Sequence, residues 1–286
     1  MQDANIDLDA YFRRIGYHGP RDPTLDSLTG IHAHHIARIP FENLDVLLGR
    51  PIRLDPASLG RKLIDLERGG YCFEQNGLMA HVLRALGFRV TTLAARVRFG
   101  VADPVETSRS HMLLEVDLPE GPYLVDVGFG GQTPGIPLQF EPQLEQVTAH
   151  GLYRIVERER AEGEFQTFEL QNRTREGWAP LYRFTLEPQL RADYEVASWW
   201  VSTNPESIFV RGLMVARQES DRRHTLLNNQ FTTRRADGRA EEWTLSTVTE
   251  LAGVLRDYFL IDTATIAGAA EIEAALARYV AGAGDG

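Results

Sequence analysis

The chain has 286 residues, 43% hydrophobic and 24% charged, with a formal net charge of −10. That balance fits a folded protein with a sizeable core, and the acidity argues against the basic stripe that nucleic acid demands, so no nucleic-acid partner is expected. A single cysteine leaves no internal disulfide, no apolar run reaches a membrane span, and MQDANIDLDAYF lacks the features of a signal peptide, so no membrane association and a cytoplasmic location are expected.

In chain order, DLDAYFRRIGY places Leu8, Tyr11, Phe12 and Ile15 at helical spacing, with Gly16 to end the helix. TLDSLTGIHAHHIARI continues through Leu25, Leu28, Ile31, His35 and Ile39. The pattern predicts a third helix over 57–69, stopped by Gly69 and Gly70, and a fourth from Cys72 to Leu86. In that fourth helix Leu78, Met79, Val82, Leu83 and Leu86 form one stripe and Gly87 supplies the C-cap. At Phe88 the period changes to that of strands: FRVTTLAARVRF, HMLLEVDL and PYLVDVGF. After an irregular QTPGIPLQFEPQ come LYRIVERE, FQTFELQN and APLYRFTLEP at hairpin spacing, so the middle reads as an antiparallel sheet or barrel. A helix is predicted over 193–202, then a hairpin in RHTLLNNQFTTRR, ADGR and EEWTLST, then helices in VTELAGVLRDYF and AEIEAALARYV, and a loose AGAGDG tail. Helices, then strands, then a mixed end make an α+β pattern, divided at 1–87, 88–191 and 192–286.

Several features invite other chemistry. His32, His34 and His35 lack the i, i+4 spacing and nearby acid or cysteine of a helical zinc site, so exposed helix histidines and no metal are expected. Trp199 and Trp200 read as core. GFGG lacks the spacing of a dinucleotide fingerprint, and no Walker sequence is present. Lys62, the one lysine, carries no functional weight.

The cysteine, Cys72, lies in ERGGYCFEQNG at the start of a helix. Free N–H groups and the positive end of the helix dipole favour a thiolate there, and the preceding glycines let the backbone turn and leave room beside the sulfur. A small buried core cysteine explains the same position equally well. A nucleophilic thiol needs a base, and the base an orienting group. His111 opens the strand HMLLEVDL, and Asp126 sits among Leu124, Val125 and Val127 in the following one, where an acid is costly without a partner. Consecutive strands usually pair, which would bring the two side chains together.

RGGYCFEQN, SHMLLEV and VDVGFGG, in that order and spacing, resemble the arylamine N-acetyltransferases. PFENLDVLLGR and STNPESIF fit an upstream and a downstream segment of that family, so the resemblance covers nearly the whole chain. It implies an N-terminal helical bundle, a central antiparallel β-barrel and a C-terminal α/β lid, with a Cys–His–Asp core like that of papain and the transglutaminases. It also implies that Cys72 is the nucleophile, with His111 and Asp126, in a ping-pong transfer. The acetyl group passes from acetyl-CoA, as co-substrate, to an arylamine, arylhydrazine or N-hydroxyarylamine, with no metal. The backbone N–H of Cys72 is a natural oxyanion donor. Phe41, Val97, Phe129 and Phe209 match positions lining the acceptor pocket. Thr107 and Ser110 match hydroxyl positions near coenzyme A, Gly130 and Gly131 let pantetheine or phosphates approach the backbone, and His224 is a further coenzyme candidate. Arg68, Glu74 and Asn76 belong to the motif and are expected to support the site from outside it, with Arg68 and Glu74 forming a buried ion pair that fixes the loop. The same thiol also suits an amide synthase acting on a polyketide acyl chain, or a thiol hydrolase. A binding protein that merely keeps the fold is disfavoured by the intact Cys72, His111 and Asp126.

Overall fold

The computed structural model describes residues 6–160, 163, 165–266 and 268–280; the AGAGDG tail lies outside them. The first helix, α1 (Leu8–Ile15), starts at Asp7, whose carboxylate accepts from the Ala10 N–H, and ends at Gly16 in the left-handed conformation, φ +67°. Thr24 caps α2 (Leu25–Arg38) in the same way. Next come β1 (Phe41–Glu42), α3 (Leu44–Leu47) and α4 (Pro56–Leu59). The helix predicted over 57–69 is in fact α4 followed by a wide π-type turn over Gly60–Asp65. It stops early because Glu67 takes φ +50° and Arg68 turns inward to Glu42. The fourth helix, α5 (Cys72–Ala85), runs as the sequence reads, burying Leu78, Met79, Val82 and Leu83, with Gly87 at φ +88° beyond its end.

Eight strands follow: β2 (Arg89–Val97), β3 (Arg109–Leu118), β4 (Gly121–Val125), β5 (Leu138–Gln139), β6 (Gln146–Thr148), β7 (Gly151–Glu157), β8 (Phe168–Thr174) and β9 (Gly177–Phe184). They pair antiparallel in the order β5-β4-β3-β2-β9-β8-β7-β6. The sheet curls until its edges meet: the Gln139 N–H donates to Gln146 Oε1 at 2.7 Å, and Gln146 Nε2 donates back to Gln139 O at 3.0 Å. This is a nearly closed barrel, filled by alternate inward residues such as Leu93, Ala95, Leu113, Ile155 and Leu170.

The last third contains α6 (Arg191–Thr203), α7 (Ile208–Arg211), β10 (Met214–Gln218), β11 (Arg222–Leu227), β12 (Gln230–Arg235), β13 (Ala240–Thr244), α8 (Val248–Phe259) and α9 (Ala269–Val280). The architecture is α+β, with helices, barrel and mixed end in the expected order. The second sheet, β1-β10-β11-β12-β13, adds two elements to the expected hairpin. One is β10; the other, β1, reaches it from between α2 and α3, pairing Phe41 with Ala216 and Glu42 with Val215. Trp199 and Trp200 are not core: they are 66% and 43% exposed, because α6 buries Tyr194, Ser198 and Val201 on its other face. Among the described residues, no helix is long and apolar enough to cross a membrane.

Candidate active site

The approach to Cys72 is held by charge and close packing. Gly69 and Gly70 do not leave room for a ligand. A Cβ on Gly69 would lie 2.1 Å from the Pro40 carbonyl oxygen, and one on Gly70 would lie 2.7 Å from Glu74 Oε2, so both glycines let β1 and α5 close on the loop. The Tyr71 N–H donates to Glu74 Oε2 at 3.1 Å, capping α5. The expected Arg68–Glu74 pair is absent. Arg68 bonds Glu42 Oε1 through Nε at 3.1 Å and Nη2 at 2.7 Å and reaches Asp45 at 3.3 Å, whereas Glu74 takes Lys62 at 2.7 Å. Lys62 Nζ is also 2.7 Å from Asp45, so the one lysine closes a buried network of alternating charge. Burial disfavours its ammonium, but Glu74, Glu42 and Asp45 more than compensate and raise its pKa.

Three parts of the fold bring Cys72, His111 and Asp126 together. Cys72 is the first residue of α5, buried, with Sγ 3.8 Å from the Ser110 carbonyl oxygen. His111 is the third residue of β3 rather than its first, and Asp126 lies one residue past β4 rather than inside it; both are buried. His111 Nε2 lies 2.7 Å from Asp126 Oδ2. Asp126 Oδ1 accepts from Asn76 Nδ2 at 3.0 Å and from the Gly128 N–H at 2.9 Å. Burial works against a charged carboxylate, yet His111, Asn76 and Gly128 hold Asp126 below the usual range. Burial likewise works against an imidazolium, but Asp126, and then Cys72 acting on the same ring, raise the His111 pKa to about 10.

Aromatic rings pack around these groups. Phe129 meets His111 edge-on at 4.9 Å between centroids and Tyr182 at 5.0 Å. Phe41 lies 6.1 Å from Phe209, which lies 5.8 Å from Tyr71, and the space beside Gly130 opens onto the Phe41 ring. Val97 ends β2 opposite Tyr182. Gly131 packs on the second sheet, where an added Cβ would lie 2.6 Å from Thr225 Cγ2. Thr107 Oγ1 donates to the Val97 carbonyl at 3.0 Å. Thr107 also lines a cavity of about 570 Å³ together with Arg96, Arg98, Ser108 and Arg183. Ser110 contributes its carbonyl beside Cys72. His224 stands apart, buried in the second sheet with Nδ1 2.9 Å from Thr233 Oγ1 and its ring against Phe231 and Tyr258.

Sequence reading misses a ring packed against His111. Tyr182 is fully buried, its ring centroid 5.0 Å from that of His111. Its hydroxyl makes no hydrogen bond of good geometry, but it faces Asp126, and burial followed by that carboxylate raises its pKa well above the ordinary value. A tyrosine in an alternating strand carries no signal for such a role. Asn76, a supporting residue as the sequence reads, donates to Met112 O at 2.7 Å and accepts from the Val127 N–H at 3.0 Å, tying α5 to β3 and to the segment just past β4. His32 and His35 are buried, not exposed; only His34 faces solvent. The place of His35 in the stripe with Leu28 and Ile31 is the signal that marks it. Among the described residues, no cluster of three or more histidine, cysteine or acidic side chains is arranged to hold a metal.

Residues 24–266 match a family model described as N-acetyltransferase. The arylamine N-acetyltransferase of Mycobacterium tuberculosis is 43% identical over 280 residues, covering 96% of each chain. The solved arylamine N-acetyltransferase of Mycobacterium marinum superposes with a TM-score of 0.90 at 40% identity, covering 96% of this chain and 100% of that one. Its complex with CoA gives 0.89 at 39% identity, covering 96% and 99%.

Proposed function

Because the chain belongs to the arylamine N-acetyltransferase family, we propose that it transfers an acetyl group from acetyl-CoA to the nitrogen of an arylamine, arylhydrazine or N-hydroxyarylamine through an acetyl-Cys72 intermediate. The observation that carries this reading is the His111 imidazole, clamped at 2.7 Å on Asp126 beside a thiol at the first turn of α5. Asp126 raises the His111 pKa and so favours the protonated imidazole, which suits a base that stabilises an attacking thiolate. The thiolate attacks the thioester carbonyl, and the Cys72 N–H at the helix start stabilises the oxyanion. The intermediate collapses with cleavage of the bond to the coenzyme sulfur, which leaves as CoA and takes its proton from His111. The amine then attacks the acetyl-cysteine carbonyl, and His111 accepts the amine proton as the Cys72 thiolate departs.

Phe41, Val97, Phe129 and Phe209 form the acceptor walls in this reading; edge-to-face contacts suit a flat aromatic amine. Thr107 and Ser110, with Gly130 and Gly131, serve the coenzyme. The arginine-lined cavity beside Thr107 supports that side for its phosphates, and the M. marinum relative was solved in complex with CoA.

Intact mass spectrometry after mixing with acetyl-CoA tests the scheme. One acetyl group should appear on the wild-type protein, be absent in Cys72→Ala, and be discharged by an aromatic amine or hydrazine. An adduct that no aromatic amine removes would turn the reading to an amide synthase. Release of free acetate without any amine would turn it to a hydrolase.

A further inference from the structure

His32 and His35 occupy one face of α2 behind the site, and both are fully buried. Their hydrogen bonds fix their protons. Gln75 Nε2 donates to Pro40 O at 2.7 Å and Gly70 O at 3.2 Å, so Gln75 Oε1 is an acceptor. His35 Nε2, 2.6 Å from that oxygen, must carry the hydrogen, and His35 Nδ1 accepts from the Tyr11 hydroxyl at 2.9 Å. His32 Nε2 donates to the Asp126 backbone oxygen at 3.1 Å. Its Nδ1 makes no hydrogen bond. Burial keeps both rings neutral, lowering the pKa to about 4 for His32 and about 3 for His35.

We propose that His32 and His35 are positioning residues of the acyl-transfer site: two neutral Nε2–H donors on one helix hold the backbone of Asp126 on one side and, through Gln75, the Pro40–Gly70 approach to Cys72 on the other. The inference rests on the reading of Cys72, His111 and Asp126 given above. Those three groups come from α5, β3 and the residue after β4, so their mutual geometry depends on whatever spans these elements. Asn76 does so from the front, and α2 does so from behind. A displacement on the order of 1 Å at such a site costs roughly a hundredfold in rate, which gives these remote bonds a kinetic consequence.

Two measurements decide it. Nitrogen-15 NMR of the intact protein should show both rings as the neutral Nε2–H tautomer, with no titration between pH 8 and about 5. An Nδ1–H tautomer, or a ring titrating near its ordinary value, overturns the proposal even if the variants do not fold. In parallel, His32→Leu and His35→Leu should slow single-turnover acetylation of Cys72 by roughly ten- to a hundredfold. The KM for acetyl-CoA should stay within about twofold, and the pH profile of Cys72 alkylation by iodoacetamide should shift. Glutamine carries an amide N–H near the Nε2 position, so His32→Gln and His35→Gln should restore most of the rate. Folded leucine variants with wild-type rate and alkylation profile, or glutamine variants no better than leucine, overturn it. A wild-type protein that takes no acetyl group would sink the assignment of Cys72 instead, while the tautomers and the alkylation profile would still decide for or against the two histidines.

Discussion

Asn76 sits one helical turn beyond Cys72 and bonds Asp126, Met112 and Val127, so it ties the position of α5 to Asp126 and to the strand that carries His111. Gly128 shares that small space: a Cβ there would lie 2.7 Å from Asn76 Nδ2 and 2.8 Å from Cys72 Cα. Backbone on one side and a fully bonded amide on the other cannot both yield. Gly128→Ala is therefore expected to push α5 away from Asp126, slowing acetylation of Cys72 by roughly a hundredfold or more. It should also lower the unfolding free energy by about 1–3 kcal/mol, the range for overpacking. Urea unfolding and single-turnover mass spectrometry check the two effects, and an alanine variant with wild-type acetylation would refute the steric account. At this scale the sequence is legible where chemistry demands rare residues: a lone cysteine at a helix start, a histidine, an acid among apolar neighbours. It is silent on Tyr182, which reads as one more core aromatic of β9. It is misleading on His32, which reads as a surface histidine yet lies on the buried face of α2 with Nε2 against the Asp126 backbone oxygen.

Between residue and fold, the segment from β1 to α5 shows why charged side chains resist sequence reading. Arg68 and Glu74 lie close in sequence and look like partners, yet the capped helix turns Glu74 toward the Tyr71 N–H and Lys62 and leaves Arg68 to Glu42 and Asp45. Partner choice depends on β1, whose two residues carry almost no strand signal and are held by pairing with β10. The strand β10 is itself obscured by Arg217 and Gln218. Arg68→Ala removes both bonds to the Glu42 Oε1 atom and leaves a buried carboxylate with only the Leu44 N–H on its other oxygen. The expected loss is about 3–5 kcal/mol, the cost of breaking one side of a buried ion pair, read as a lower urea midpoint. Acetylation should slow as well, because Glu42 and Gly70 are joined through the backbone. Loss of rate with an unchanged midpoint would contradict this account.

For the whole molecule, the order helices, strands, mixed end was readable from where the hydrophobic period switches, because α5 and β2 are long enough to show it. Barrel closure was not, since it rests on side-chain amides of Gln146 and on strands of two or three residues. The net charge of −10 poses a further question for a protein proposed to bind a polyanionic coenzyme: the average field repels the ligand, so attraction must be local. Arg96, Arg98 and Arg183 converge on the cavity beside Thr107. Arg98 is committed to the loop, bonding Ala102 O at 3.2 Å and Asp103 at 2.7 Å, and Arg183 to Glu169 and Asp103, whereas Arg96 is exposed and donates to the Thr107 carbonyl. Arg96→Gln should thus weaken phosphate attraction with little cost in stability, raising the KM for acetyl-CoA by roughly three- to tenfold at low salt, the equivalent of one charge-assisted contact at a solvated site. The maximal rate should hold, because the thiol and imidazole are untouched. Two controls give the prediction its force. Raising ionic strength should erase much of the difference between wild type and variant, since the interaction is screened. A truncated donor, S-acetylpantetheine, lacks the phosphates and should be used equally well by both. A KM increase that persists with the truncated donor would mean that Arg96 shapes the pocket rather than attracting the coenzyme, and the phosphate site would then have to lie elsewhere.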